Sequence, residues 1–370
     1  MKLIDKYTLL SFLKNFLFGL LCFILLFILV DLFENIDKFI DKKLSTGLIV
    51  QYYIYFIPEI IKLITPVSIL LATLFTTSRF ISLSEMTAVN SAGVSIYRYS
   101  LPLLLFGAVI TLASIYFNGW VVPYSNAAKL QIEREQIGKN KTPGVLQNLS
   151  IQDSDNQILT ISTYNELSKS GESVSLQIFE NKEISDLKQR YDARNIFWDS
   201  TRMQWLFTNV SVRSFDSSGL TGYTFADSLH EDQIGQSGNI FITPDRINIK
   251  QKKPDELILT ELRTFIDEMR NSGQDVTRAE VDYYSKLSFP FANIVVIIFG
   301  VSLSLNQRKG NAALQFGISI LVTFIYLGFI KISQTFGYNG DIDPMLTAWI
   351  ANIIFFLIGV TNFLRMNLKN

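Results

Sequence analysis

The chain has a single histidine, His230, and a single cysteine, Cys22. Those counts exclude a disulfide within the chain, a cysteine-rich zinc site and any two-histidine metal motif. A Ser-His-Asp triad would have to use His230, which stands in Ser228-Leu229-His230-Glu231-Asp232 and reads as a solvated strand end. Asp153 and Asp155 flank a serine; paired acids can do acid–base work, but in a Ser/Asp/Asn cluster they read as Asx-turn residues. No Gly-x-x-x-x-Gly-Lys-Ser/Thr loop is present, so nucleotide binding in the P-loop manner is not expected. Asn148-Leu149-Ser150 and Asn209-Val210-Ser211 match the glycosylation sequon, a pattern too short to carry weight alone. The expectation is a chain with no catalytic residue, no metal and no cofactor: not an enzyme.

Three other constellations are better placed to do work. Glu59 and Lys62 are three apart, hence on one helix face, inside an apolar run that also contains Pro58 and Pro66. Charges there either touch a lipid headgroup or neutralise one another at an interface, and the two prolines bend the helix and free carbonyls. Lys38, Lys42 and Lys43 could meet phosphates as ammonium point charges, or be ordinary solvated residues. Ser82-Leu83-Ser84-Glu85 has the form of a capping box and is followed by Met86, Ala88, Val89 and an Ala92-Gly93 stop. This predicts a short helix within about 80–98, either a plain connector or a helix that docks in a partner's groove.

The elements that must hold these residues are membrane helices. A helix needs ~20 mostly apolar residues to cross the hydrocarbon core. Six segments qualify: Leu9–Val30, about Ile54–Ser78, Leu101–Val122, about Leu287–Leu305, Ala312–Ile330 and Met345–Leu364. The first lacks a small-x-small cleavage site and is read as retained. With the N-terminus inside, Lys2, Lys6, Lys14, Arg79, Arg98, Arg308, Lys309, Arg365 and Lys369 face the cytoplasm, and only Lys38, Lys42 and Lys43 face outward. Both termini are then cytoplasmic.

Between the third and fourth spans the period changes. Leu159/Ile161 and Val174/Leu176/Ile178 alternate with polar residues, as half-buried strands do. In Met203–Val212 the inward parity of Trp205 and Phe207 flips before Val210, which predicts a β-bulge near Thr208–Asn209. The fold class is therefore a six-span helical membrane protein with an inserted extracytoplasmic all-β, jelly-roll-like domain. Its expected parts are 1–122 (spans one to three with the cytoplasmic helix), 123–280 (the β domain with helical arms at Ser125–Ile137 and Thr260–Asn271) and 281–370 (spans four to six). With 33 basic and 33 acidic residues the net charge is zero, which argues against nucleic acid as a partner.

In this frame the chain resembles the LptF/LptG family of lipopolysaccharide-export permeases. The likeness runs through Asp5-Lys6-Tyr7, Pro58, Pro66, Ser84-Glu85 to Ala92-Gly93, Trp120-Val121-Val122-Pro123, Thr243-Pro244-Asp245, Pro254-Asp255, Ser272-Gly273-Gln274-Asp275 and Ser285-Lys286. Two of these stretches look more like the G member than the F member. The resemblance implies a bacterial inner-membrane permease with a periplasmic β domain. Its implied partners are a paralogous LptF/LptG-type permease, a cytoplasmic LptB-type ATPase dimer, a periplasmic LptC/LptA-type bridge and lipopolysaccharide. It also implies that Ser84, Glu85, Met86, Val89 and Gly93 couple to the ATPase, with Glu85 facing it. Asp31, Glu34 and Glu59 depart from the family's basic pattern at the outer helix ends. The expectation is thus a permease subunit that extracts lipopolysaccharide from the outer leaflet and passes it to the bridge. A structural or sensing protein whose β domain binds a ligand is the rival, and a membrane-anchored hydrolase needing His230 or paired acids in a cleft is a third reading.

Overall fold

The computed structural model describes residues 3–83, 85, 91, 95–137, 145–154, 156–180, 186–216, 219–234, 242–244, 247, 252–271, 274–305 and 312–366. In chain order the main elements are α1 (Leu3–Asp41), α2 (Thr46–Ser82), α3 (Ile96–Tyr116) and α4 (Val122–Ile132), then β1 (Val145–Ser154), β2 (Gln157–Asn165), β3 (Ser170–Phe179), β4 (Leu187–Asp199), β5 (Gln204–Asp216) and β6 (Gly219–His230). They are followed by α5 (Leu259–Asn271), α6 (Thr277–Ser288), α7 (Ala292–Leu305), α8 (Ala312–Tyr338) and α9 (Pro344–Met366). The chain divides into two compact units, one of Met1–Leu130, Pro254–Leu259 and Thr277–Asn370, the other of Gln131–Lys253 and Thr260–Val276.

The first unit is the membrane unit. Among the described residues six helical stretches are long and apolar enough to cross a bilayer: Leu3–Asp41, Thr46–Ser82, Tyr97–Gln136, Thr277–Ser304, Ile320–Tyr338 and Pro344–Arg365. Several outrun the apolar segments read from the sequence. At 39 residues α1 is about 58 Å long at 1.5 Å per residue, because Asp31–Asp41 holds no glycine or proline to stop it. The third stretch changes winding rather than ending, as α3 runs through a π-helical turn, Phe117–Val121, into α4. Pro58 and Pro66 are accommodated inside a continuous α2.

Lipid tails are as apolar as leucine, so helices in a bilayer associate through close packing and polar contacts rather than burial of oil from water. Both are present. Gly300 of α7 sits so near α2 that a Cβ there would lie 2.7 Å from Thr73 Cγ2. Asn15 Nδ2 donates to Thr76 Oγ1 at 3.0 Å, joining α1 to α2, and Asn352 Nδ2 donates to the Ser288 carbonyl at 2.7 Å. The ammonium of Lys286, a buried residue of α6, donates to the carbonyls of Pro254 (2.8 Å) and Leu257 (2.7 Å), clasping the short 254–259 segment.

The second unit is an antiparallel sheet in the sequential order β1-β2-β3-β4-β5-β6. The insert is all-β as expected, but its described strands form an up-and-down meander without the Greek-key crossover of a jelly roll. Its core gathers Leu159, Ile161, Leu176, Trp205 and Phe207 with Ile234, Ile242 and Ile247 from the segment after β6. Trp205 is fully buried, and its indole N–H donates to the Ile242 carbonyl at 2.7 Å. In α5, Leu262 and Ile266 are buried and Phe265 and Met269 half-buried, the apolar stripe that the spacing predicts.

One row of residues crosses all six strands: Asn148, Ser162, Ser173, Arg194, Asn209 and Asp227. It is missing from every ladder while the pairs on either side keep their register. All six residues are exposed. On alternate strands the row is left-handed, with φ of 55° at Asn148, 53° at Ser173 and 52° at Asn209. The buried parity flips at this row: Ile161 then Tyr164, Ala193 then Ile196, Val210 then Phe207, and both halves still feed one core. The parity break expected at Thr208–Asn209 is therefore present, but the β-bulge is not. Ala193 faces Val210 and Asn195 faces Thr208, so no residue is inserted there. A left-handed residue turns the next side chains to the other face without adding one. Gly171 lies beside this crease, where a Cβ would come within 2.6 Å of Ile161 Cγ2 and 2.9 Å of Ile196 Cγ2.

Candidate functional site

Two polar constellations in the membrane unit organise the residues singled out above. The first lies where the start of α1, the end of α2, the start of α3 and the end of α9 come together. Arg98 Nη2 meets Asp5 Oδ2 at 2.8 Å, tying α3 to α1, and Asp5 is buried. Phe80 is packed edge-on between Tyr7 (5.3 Å between ring centres) and Tyr99 (5.1 Å), while Tyr97 meets Phe363 of α9 at 5.1 Å. Ser82 closes α2, its hydroxyl donating to the Arg79 carbonyl at 3.0 Å, and the Ser95 side chain caps α3 by accepting from the Arg98 amide. Four helix ends are thus locked around the segment from Leu83 to Ser95. Of that segment Glu85 is helical and half-buried. Ser84, Met86, Val89 and Gly93 lie outside the described residues.

The second constellation is set by α2, α3 and α4. Glu59 Oε2 pairs with Lys129 Nζ at 2.9 Å, and the same ammonium stands 4.3 Å from the centre of the Phe56 ring. Glu59 is therefore neutralised by α4 and not by Lys62. One turn further along α2, Lys62 is half-buried and engages no hydrogen bond or ion pair among the described residues. It lines a cavity of about 370 Å³ whose walls come from α1, α2, α3, the π turn, the Phe289–Phe291 turn and α7. Lys38, Lys42 and Lys43 are exposed at the end of α1, and Lys38 donates to Asn35 Oδ1 at 2.6 Å. Asp31 accepts from the Tyr53 hydroxyl at 3.0 Å, which joins α1 to α2 at this end. The basic residues at 38, 42 and 43 are not brought into the cavity that Lys62 lines.

A family model described as lipopolysaccharide export system permease LptF/LptG matches residues 6–365. The chain belongs to the LptF/LptG family. It is 23% identical over 324 residues to the lipopolysaccharide export system permease protein LptG of Escherichia coli K12, covering 85% of each chain. It is 20% identical over 310 residues to LptG of Haemophilus influenzae, covering 82% of this chain and 81% of the relative. LptF of Escherichia coli K12 is 21% identical over 313 residues, covering 82% and 79%. Identity thus leans slightly toward LptG.

For an LptF/LptG chain the residues that could do reaction chemistry are unremarkably placed. The His230 ring is met by Arg202 Nη1 at 3.4 Å, and no serine or carboxylate bonds that ring among the described residues. Asp153 is buried in β1, and Asp155 is outside the described residues. Asn148 and Asn209, the sequon asparagines, are two of the three left-handed residues of the crease. Sequence reasoning missed two partners, Lys129 for Glu59 and Arg98 for Asp5. Each pair is separated by 70 or 93 positions, and no periodicity reports a contact that long. The only signal was chemical: an acid in an apolar run needs a cation somewhere.

Proposed function

We propose that this chain is a permease subunit of an ATP-driven lipopolysaccharide export complex in the bacterial inner membrane. It takes lipopolysaccharide from the outer leaflet and delivers it to a periplasmic bridge. Membership of the LptF/LptG family along residues 6–365, spanning both units, carries the reading. ATP is hydrolysed by a separate cytoplasmic LptB-type dimer, and the second permease and the LptC/LptA-type bridge complete the path. The end bearing Asp5, Arg98 and Glu85 faces the cytoplasm with both termini, and the β unit is periplasmic. Lys38, Lys42, Lys43 and Lys62 are the candidate headgroup contacts, with Glu59 bound to Lys129 beside them.

Mechanically, a lever works only if its fulcrum is stiff. The Asp5–Arg98 pair and the Tyr7–Phe80–Tyr99 packing supply that stiffness, so a push on the stretch of chain bearing Ser84, Glu85, Met86, Val89 and Gly93 reaches α2 and α3 together. Glu85 is the coupling residue. The variant Glu85→Lys should insert normally yet stop export by the reconstituted complex. Normal export by that variant, with the ATPase still bound, would refute the coupling role.

A further inference from the structure

We infer that Lys286 is a positioning residue for export: its ammonium rivets the strap Pro254–Leu259 to α6, so that movement of the membrane helices is passed along the backbone into α5. This rests on the export reading and names the place where motion leaves the membrane unit.

Lys286 directly precedes the apolar run that begins at Leu287. A lysine at the end of a span ordinarily snorkels, laying its stem along the helix and keeping its ammonium in water. This one turns inward, and only 6% of it is exposed. Its Nζ donates to the carbonyls of Pro254 and Leu257 at 2.8 and 2.7 Å, spanning the short 3-10 turn Pro254–Glu256. The Leu257 N–H closes the same turn onto the Pro254 carbonyl. Hydrogen bonds from a charged donor are roughly twice as strong as neutral ones and fix direction as well as distance. Burying an ammonium is costly, and apolar packing holds two segments together without that cost. What the lysine adds is a defined, directional attachment.

The same turn of α6 gathers two neighbouring helices. Ser285 Oγ accepts from Gln334 Nε2 of α8 at 3.0 Å, and the Ser288 carbonyl accepts from Asn352 Nδ2 of α9 at 2.7 Å. One turn earlier, Asp282 accepts from the Tyr338 hydroxyl of α8. A displacement of α8 or α9 is therefore felt by α6, and through Lys286 by the strap. The far end of the strap is held by another spanning stretch: Leu259 Cβ lies 3.6 Å from the place a Cβ on Gly119 of the π turn would take. Along the chain the strap continues into the β unit in both directions, through Lys253 and through Thr260 of α5. A shift of α6 against the π turn must then pull or twist the strap, and the covalent chain carries that strain on into α5. Without the ammonium, the turn at 254–257 is free to slip and the motion stops there.

The test reconstitutes the full-length chain with the second permease and the ATPase in proteoliposomes, with lipopolysaccharide as the probe and the purified bridge as acceptor. Lys286→Met keeps the unbranched apolar stem and removes the donors. Amide exchange in the strap, at Leu257 above all, should quicken by about 10- to 100-fold, as loss of a bond to a charged group allows. ATP turnover should hold at the parental rate, while lipopolysaccharide delivered per ATP falls by about 2- to 30-fold, the range for substitutions along a coupled network. A residue that merely supports the fold would lower inserted protein, ATP turnover and delivery together and leave delivery per ATP unchanged. That result would overturn the inference, as would an unaltered exchange rate in the strap. Full delivery per ATP with a loosened strap would overturn it as well. Should Lys286→Met fail to accumulate, Lys286→Gln, which keeps a neutral donor, is read by the same two measurements. Failure of both to accumulate would assign Lys286 to folding and remove the relay. The parent reading has its own readout: no transfer by the unaltered complex removes the exporter, whereas normal transfer with Lys286→Met at parental yield per ATP removes the relay alone.

Discussion

Both units of this chain expose large apolar side chains, and the same observation means opposite things in each. Leu21 on α1 is 57% exposed and Phe225 on β6 is 60% exposed. Around Leu21 the helix is apolar on every side, with Leu17, Phe18, Leu25 and Leu26 also exposed, as a span bathed in lipid requires. Around Phe225 the neighbours are Thr224, Ser211, Arg213 and Asp227, a surface made for water with a few apolar side chains on it. Exposure alone cannot tell a bilayer from a solvent; the company each residue keeps can. The interiors differ as well. The β unit has a single oil-like core, whereas the membrane unit joins its helices by glycine contacts and by hydrogen bonds of Asn15, Asn293 and Asn352.

The largest effect should come from the core of the β unit, where burial is the whole driving force. Trp205→Ala removes a fully buried indole, its bond to the Ile242 carbonyl and its edge contact with Trp198, whose ring centre is 5.0 Å away. The expected loss is about 3–5 kcal/mol in the stability of that unit. Hydrogen exchange of the full-length protein should show β4 and β5 deprotected while α2 and α7 keep their protection. Joint loss of protection in both units would mean that they do not fold independently.

Next is the matched pair that sets lipid against water. Leu21→Lys should reduce membrane insertion by about 2.5–3.5 kcal/mol, the cost of lysine near the centre of a span. Phe225→Lys should change stability by no more than about 0.5 kcal/mol, as surface substitutions do. Glycosylation-reporter insertion assays measure the first and thermal unfolding the second. Similar penalties at the two positions would erase the distinction drawn between these surfaces.

What the sequence made legible follows the same division. Spans announce themselves because a bilayer demands a run of apolar residues, so all six were readable, and their polar helical extensions at Asp31–Asp41 and Ser125–Ile137 were readable as well. In the sheet, alternation revealed the strands, and the flip between Phe207 and Val210 revealed a discontinuity. Its cause was hidden, because one strand in isolation cannot show that its neighbours flip at the same row. Only the asparagines, residues tolerant of left-handed backbone, hinted at it. At the site, Glu59 and Lys62 were visible as costly charges, but Lys129 became meaningful only through packing from distant helices.

The crease gives a smaller, sharper test of the β unit. Ser173 holds φ at 53° without the tolerance that asparagine has there. Ser173→Gly should stabilise the unit by up to about 1 kcal/mol, since relief of about 1–2 kcal/mol of left-handed strain is partly offset by about 0.4–1 kcal/mol of added unfolded-chain entropy. Ser173→Val should cost more than the glycine gains, as a branched side chain resists positive φ. Hydrogen-exchange protection of β3 reports both. A destabilising glycine would mean that the serine hydroxyl, not the backbone angle, is what the row needs.

The smallest expected effect is a pH dependence confined to the β4–β5 turn. Asp199 Oδ1 accepts the backbone N–H groups of Thr201 (2.8 Å) and Arg202 (3.3 Å), which hold its carboxyl below the usual carboxylate value. A depressed folded-state value means that the turn's contribution is complete above the unfolded value of about 4 and disappears as pH falls through the folded one. Asp199→Asn keeps an acceptor oxygen but has no proton to gain. The variant should therefore match the parent near neutrality in its stability ranking across pH, and flatten only the acid limb of hydrogen-exchange protection at Thr201 and Arg202. The partly exposed position keeps the effect local, because water competes for the bonds the carboxylate makes. A change in the acid limb at the buried core residues Trp205 and Phe207 would show instead that this turn holds the sheet together, and would move Asp199 from an ornament of the loop to a support of the core.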